Sequence, residues 1–455
     1  MKKALLVFVV LTMAVAVPQS AKAYDFPYTH QGQTLYYNLK TVGGQTCAVV
    51  TYPNTDATAG RWEGFSLPAG LLAIPDTVEW DNVRYAVKEL GSRCFERDSV
   101  LTSVVIPEGV TVIGDHAFGR CTQLASVAFP NTLDSIGKNA FSFCSELDSV
   151  VLPDNLHKLE YGVFGYCTHM RSIHLPAQLE HVGQAMFYAA GLESVEVPEG
   201  VTFIDTAAFY LCTNLQSVTL PSTLTRIAYY AFNRDTMLTA IVLPQSVSVL
   251  ESSVFGRCYH LTTVTMPDNM TFMGRYCFNN CYALTSIVVP EGITVIDTST
   301  FADNYALRRV HLPSTLQTIK YHGFNECMAI DTITLACAVP PTVADSAIDD
   351  HSAMLIVPCG SANTYRQHEV WGLFANIVEN CDGILPTSDL QLPPSIYVRD
   401  GRIIVDGADG ETVQVYDTMG RLTQTFKQSS NQAIPTGVYL VKVGASAARK
   451  VVVMR

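Results

Sequence analysis

Apolar and polar positions alternate along this chain in one pattern that returns ten times. From Leu101 it reads Leu101-Thr-Ser-Val104-Val-Ile106-Pro107-Glu-Gly-Val110-Thr-Val-Ile113-Gly-Asp-His-Ala117-Phe118-Gly-Arg-Cys121. Further copies begin at Leu124, Leu147, Met170, Leu192, Leu215, Leu238, Leu261, Leu284 and Leu307, spaced by 23 residues except for a single 22 between Met170 and Leu192. Val104 and Ile106 alternate with Ser103 and Val105, the period of a strand with one buried face, so Leu101–Ile106 is predicted to be a short strand. Pro107 ends it, because proline has no N–H to give a ladder. Val110 and Ile113 aim a second short extended segment at the core, and Ala117-Phe118 turns the chain toward the next leucine. One such coil cannot enclose its own core. Stacked coils can, at about 4.8 Å per step.

A period of this length with leucine and isoleucine at fixed offsets is the mark of a leucine-rich-repeat solenoid. Two columns follow from the stacking. Phenylalanine occupies one position in every copy: Phe118, Phe141, Phe164, Phe187, Phe209, Phe232, Phe255, Phe278, Phe301 and Phe324. Ten aromatics at one position predict a stacked interior spine, since each coil fills the same shared core. Cysteine occupies another, at Cys121, Cys144, Cys167, Cys212, Cys258, Cys281 and Cys327, with Ala190, Asp235 and Asn304 in the remaining copies. Neighbouring cysteines would lie within disulfide range. Parallel stacking points both thiols the same way, however, and the three replacements need no bridge, so buried free thiols are preferred to disulfides.

The flanks differ from the repeats. Within 24–86, Leu35–Lys40 and Cys47–Tyr52 are strand-like runs joined through Gly43-Gly44, and Leu72–Trp80 with Asn82–Val87 looks like a second strand pair. A solenoid end exposes a strand edge and an open core, so this region is predicted to be the N-terminal cap. The solenoid spans 87–343, beginning with half a copy in which Phe95 lies 23 residues before Phe118. Residues 344–383 read as a strand, a short helix and an aromatic plug around Trp371, a C-terminal cap. Cys359 and Cys381 flank it outside the column. They are the disulfide candidates of the chain, two free thiols being the alternative. A proline-bearing linker covers 384–394. From 395 to 455 about six short strands, with turns such as Asp400-Gly401, Asp409-Gly410 and Met419-Gly420, predict a small antiparallel β-sandwich. The fold class expected is therefore mainly β: a capped leucine-rich-repeat solenoid followed by a small sandwich.

Met1–Ala23 reads as a signal peptide, with Lys2-Lys3, the apolar run Ala4–Val17 and the small-x-small site Ala21-Lys22-Ala23. That run is shorter than the ~20 residues of a membrane span, and no later segment is long and apolar enough for one. Removing 1–23 takes three lysines and no acid, deepening the net charge from −12 to −15. Such a balance disfavours nucleic acid and anionic membrane as partners, both of which are held through Lys/Arg surplus.

No catalytic constellation emerges, and neither a cofactor nor a metal is expected. His368-Glu369 lacks the second histidine of a helical zinc motif, there is no G-x-S-x-G elbow, and Asp406-Gly-Ala-Asp409-Gly-Glu411 reads as a turn. Repeat histidines fall at variable offsets. The expected binding surface is the concave sheet. Its outward positions include Ser103 and Val105, Ser126, Ser149, Ser172 and His174, Ser194 and Glu196, Ser217 and Thr219, and Arg309 and His311. A flat, weakly charged face of this kind suits an extended protein partner. It also fits residues chosen simply for a pleated strand. Without an aromatic row, this face argues against sugar stacking.

The repeat Leu-x-Ser-Val-x-Ile-Pro-x-x-Val-x-x-Ile-Gly-x-x-Ala-Phe-x-x-Cys resembles the bacterial surface leucine-rich repeats of the BspA-like family over about residues 72–380. The tail, through Val415-Tyr-Asp-Thr-Met-Gly-Arg421, Pro435-Thr-Gly-Val-Tyr-Leu-Val-Lys-Val443 and Arg449-Lys-Val-Val-Val453, resembles the C-terminal sorting domain of type IX secretion cargo. Those resemblances imply a chain carried across both bacterial membranes, its tail removed. It would then be linked to surface lipopolysaccharide or released, and would act as an adhesin or host-interaction protein on an extracellular or host protein. The alternative is a structural or glycan-binding component of a surface nutrient-capture assembly.

Overall fold

A computed structural model describes residues 23–54, 61–381, 395–399, 402–406, 412–417, 421–427, 435, 437–443 and 449–453. The expected signal segment, the linker at 384–394 and the turns at Asp400-Gly401, Asp409-Gly410 and Met419-Gly420 lie outside the described residues. Among those described, no helix is long and apolar enough to cross a membrane.

The chain is a mainly β solenoid of stacked coils with a C-terminal antiparallel sheet. Each coil gives one strand to the concave side, such as Leu101–Val105, Ser126–Ala128 or Arg309–Leu312. A two-residue strand, such as Val112–Ile113 or Ser135–Ile136, lies on the adjoining side. All coils run in the same sense, so pairing is parallel and joins equivalent residues: Ser103 with Ser126, Val104 with Val127, Ile113 with Ile136. The proline after each concave strand stops the ladder there. Even so, the Ile106 N–H reaches the Ala128 carbonyl at 3.0 Å before it does.

Between the short strand and the cysteine position, the backbone divides its hydrogen bonds. Ala117, Gly119 and Cys121 donate within their own coil, to the carbonyls of Gly114, His116 and Phe118. His116, Phe118 and Arg120 donate to the next coil, to Lys138, Ala140 and Ser142 at 2.7–2.8 Å. This alternation puts His116 and Arg120 in the left-handed region, at φ 55° and 65°, and equivalent residues repeat it as far as His322 and Glu326. A non-glycine residue there is strained by roughly 1–2 kcal/mol, which the ladder bond offsets.

The interior is a single core running through all coils. Phe95 and the ten repeat phenylalanines are at most 3% exposed. Successive rings stack with centroids 5.0–6.1 Å apart and planes within 19° of parallel. Trp62 closes the N-terminal end of the stack, 6.2 Å from Phe95, and its indole N–H donates to the Cys94 carbonyl.

In the N-terminal cap, Gln33–Val42 and Gln45–Thr51 form an antiparallel hairpin. Phe26–His30 lies on its outer side, and Gln45–Thr51 runs parallel to Val83–Leu90. Val83–Leu90 pairs with Val112–Ile113, so the cap sheet continues the solenoid sheet and covers its first edge. The expected strand Leu72–Trp80 is corrected to two. Gly70–Ala73 pairs in parallel with Leu101–Val105, and Thr77–Trp80 pairs antiparallel with Val83–Leu90. Pro75 sits between them and cannot donate to either ladder.

At the other end Met354–Pro358 and Asn376–Asn380 extend the concave sheet in parallel. The helix Ala362–Arg366 and a turn at Trp371–Leu373 lie over the open core. Trp371 is fully buried and its indole donates to the Pro341 carbonyl at 2.8 Å, while the Tyr365 hydroxyl donates to the Cys337 carbonyl at 2.7 Å. A disulfide joins Cys359 to Cys381. The tail comprises a hairpin, Ser395–Arg399 with Arg402–Asp406, and a four-stranded antiparallel sheet of Thr412–Asp417, Leu422–Lys427, Gly437–Val443 and Arg449–Val453. It has its own small core of Ile403, Val405, Val413, Val415, Tyr439 and Val441.

Candidate functional site

The cysteine column has a geometry that excludes thiol chemistry. Every thiol in it donates to the phenylalanine carbonyl of the preceding coil: Cys121 to Phe95 at 3.0 Å, Cys144 to Phe118 at 3.2 Å, and so on to Cys327 and Phe301 at 3.0 Å. Asn304 makes the same bond with its side-chain amide, to Phe278 at 3.0 Å. All eleven cysteines outside the disulfide are free and buried. Burial pushes the Cys167, Cys281 and Cys327 thiols up to about 12, so none is a nucleophilic thiolate near neutral pH.

Asp98 and Asp235 hold the column position in their coils and are fully buried. One oxygen of Asp98 accepts from the N–H groups of Val100 and Leu101; one of Asp235 accepts from Cys212 at 2.8 Å. The second oxygen of each has no hydrogen-bond partner. Burial therefore raises both carboxyls, Asp98 to about 6 and Asp235 well above the usual range. Among the described residues, the cluster with metal-ligand spacing is Cys359, Glu379 and Cys381, two of which are spent on the disulfide.

On the concave face the sequence-derived positions fall into register. Ser103 pairs with Ser126, Ser149 with Ser172 and Ser194 with Ser217. In the second row Val105, Val151, His174 and Glu196 stand exposed, Val151 at 70%. His174 reaches Asp154 at 3.3 Å. Toward the C-terminal end the face closes in: Thr263 and Ser286 are buried, and Thr219, Arg309 and His311 are partly covered. The Arg309 Nε lacks a partner, and desolvation lowers the His311 imidazole below its usual value. Ser149 and Ser172 belong to one pair of strands and Ser194 and Ser217 to the next, so the candidate residues form a broken row rather than one cluster. That arrangement offers hydrogen bonds and small apolar contacts over a long footprint. Nothing in it activates a nucleophile.

Aromatic rows do exist, on the turn edge. Phe143, Tyr166, Tyr188 and Tyr210 stack coil to coil at 4.2–5.1 Å, with the Arg120 guanidinium 4.6 Å above Phe143. Tyr259, Tyr282 and Tyr305 form a second row at 4.8–5.1 Å. Neither row was read from the sequence; the first drifts by one residue across the 22-residue coil, while the second, spaced by 23 residues, has only three members. The signal was present in aromatics one or two places after the spine phenylalanine for the first row and four places after it for the second.

A family profile described as BspA type Leucine rich repeat region matches residues 88–216 and 204–331 in six copies, more than half of the chain. A second, a domain of unknown function, matches residues 393–453. No curated protein matches. Among solved structures, the chain is similar to a leucine rich cell surface protein from Faecalibacterium prausnitzii (25% identity, 68% of this chain and 94% of that one, TM-score 0.41). It is also similar to a leucine-rich repeat protein from Bacteroides ovatus (21% identity, 69% and 95%, TM-score 0.44). A third likeness is to the pneumococcal vaccine antigen PcpA (15% identity, 79% and 99%, TM-score 0.38).

Proposed function

We propose that this chain, which belongs to the BspA-type leucine-rich-repeat family, is a surface-displayed binding protein of the adhesin or host-interaction type, without catalysis. Its concave sheet is the surface that meets an extended protein outside the cell. The observation that carries the reading is the paired serine row with small and apolar neighbours, Ser103–Ser126, Ser149–Ser172 and Ser194–Ser217. Such a row hydrogen-bonds and desolvates easily along many coils, and its serines carry no charge that a partner would have to match. Ser103, Val105, Ser126, Ser149, Ser172, His174, Ser194, Glu196, Ser217, Thr219, Arg309 and His311 are its contact positions.

The address is part of the proposal. Residues 1–23 direct export. The tail, by its resemblance to type IX sorting domains, directs passage of the outer membrane and is then removed, leaving the solenoid attached to lipopolysaccharide or released. The glycan-binding alternative is weaker on the concave face, which has no aromatic row. The test is protease shaving of intact cells, followed by binding of the purified chain to matrix proteins and to a glycan array. The expected result is surface release together with saturable protein binding that Val151→Glu weakens. Intracellular protein, or binding to glycans alone, would overturn it.

A further inference from the structure

The turn edge carries a polar-to-apolar-to-polar sequence of its own, and the backbone fixes its register. The second left-handed residue of each coil occupies one column, and each donates its N–H one coil onward, Arg97 to Gly119, Arg120 to Ser142 and so on to Asp303 and Asn325. Each member is therefore one ladder step from the next. The column begins with Arg97 and Arg120. It passes through Phe143 and Tyr166, with the ring of Tyr188 filling in beside Ala189, to Leu211 in the middle. Arg234, Arg257 and Asn280 follow, and Asp303 and Glu326 end it. Among the described residues, none of these four arginines and two acids is ion-paired within the chain. Tyr166 is 39% exposed and Arg97, Arg120 and Glu326 are exposed.

We infer that this column is a self-recognition surface, and that its occupant is a second copy of the chain docked antiparallel about a two-fold axis through the coil of Leu211. The column is complementary to its own reversal. Arg97 stands five coils before Leu211, and Glu326 five after it. Arg120 and Asp303 stand four before and four after. Antiparallel docking sets Arg97 against the partner's Glu326 and Arg120 against the partner's Asp303. It also lays the ring edges and hydroxyls of Tyr166 and Tyr188, whose faces are taken by their row neighbours, against the partner's Arg257 and Arg234, which can donate to the phenolic oxygens. Leu211 meets its own copy at the axis, as an isologous contact requires. Parallel docking would set arginine on arginine, and an external polyanion would be repelled by Asp303 and Glu326. Stacking hides the ring faces from a sugar but leaves edges and hydroxyls for a protein surface. The inference stands independently of the concave-face proposal and leaves that face open on both copies.

Sedimentation equilibrium of the purified chain tests it. A concentration-dependent dimer is expected, weaker at high salt, where exposed ion pairs are screened. Arg120→Glu alone and Asp303→Arg alone should each raise the dimer dissociation constant about tenfold, since each breaks two symmetry-related pairs. Mixing the two variants should restore association as a heterodimer. The introduced glutamate of one copy then faces the introduced arginine of the other, and at the symmetry-related contact the native Asp303 faces the native Arg120. Leu211→Cys should form an intermolecular disulfide, and Arg97→Cys should not. Unchanged thermal melting of the variants separates lost contact from lost fold. A monomer at every concentration, single variants that associate like the parent chain, or a mixture that fails to reassociate would overturn the inference.

Discussion

The phenylalanine at each coil is the residue on which the interior turns. Phe209 is fully buried, with rings at 5.2 Å and 5.0 Å on either face. Phe209→Ala should cost about 3–5 kcal/mol, against under about 0.5 kcal/mol for Ser217→Ala on the concave side of the next coil; urea denaturation of both variants measures it. The acidic members of the cysteine column make a second residue-scale prediction. Asp98 is raised from 3.8 to about 6 by burial. The folded state thus keeps a proton that the unfolded chain gives up first. The stability tied to that proton is fully present below 3.8 and is lost as pH rises through about 6, a fall of up to about 3 kcal/mol. Asp98→Asn should abolish that share of the slope between pH 4 and 7 in denaturation midpoints. Asp235→Asn should raise the melting temperature, because an amide can donate to the Phe209 carbonyl as Asn304 does to that of Phe278. That the column wants a small buried side chain is readable from Ala190 and the cysteines. That it wants a donor is not, because the accepting carbonyl lies 25 or 26 residues earlier and only stacking brings it near.

At the scale of elements, period and proline placement were enough to locate each concave strand. Turn conformation was only half readable. Gly109, Gly200 and Gly292, each following Pro-Glu, sit at φ +97° to +100°. A Cβ at Gly200 would meet nothing within 4 Å, so Gly200→Ala isolates backbone strain and should cost about 1–3 kcal/mol in chemical denaturation. The left-handed residues of the outer turn gave no such sign. His116, Arg120, Tyr166 and Leu211 are ordinary side chains at φ 55–65°, held there by bonds to a coil more than twenty residues away. Local propensity has no access to that partner. The split of the run Leu72–Trp80 has the same origin, since its two halves answer to different neighbours on opposite sides of Pro75.

For the molecule as a whole, ten copies of one phrase dictate the number of coils and the single core, and the open ends dictate caps. A partner is not dictated, because serine, threonine and valine on the concave strands satisfy a pleated sheet as well as they satisfy a ligand. Thiol counting offers a global check on the architecture. The native chain should show no reaction with a thiol reagent. Unfolding without reductant should expose eleven thiols, and reduction should bring the count to all thirteen cysteines. Early reactivity would mean a column open to solvent.

The bond between Cys359 and Cys381 also has a mechanical meaning. Asn376–Asn380 is the outermost strand of the concave sheet, and Cys381 follows it directly. Were the rod tethered through its C-terminal side, tension arriving at Cys381 would pass across the sulfurs to Cys359. The final strand, lying inside that closed loop, would be spared, and the rod could bear load without unzipping from its end.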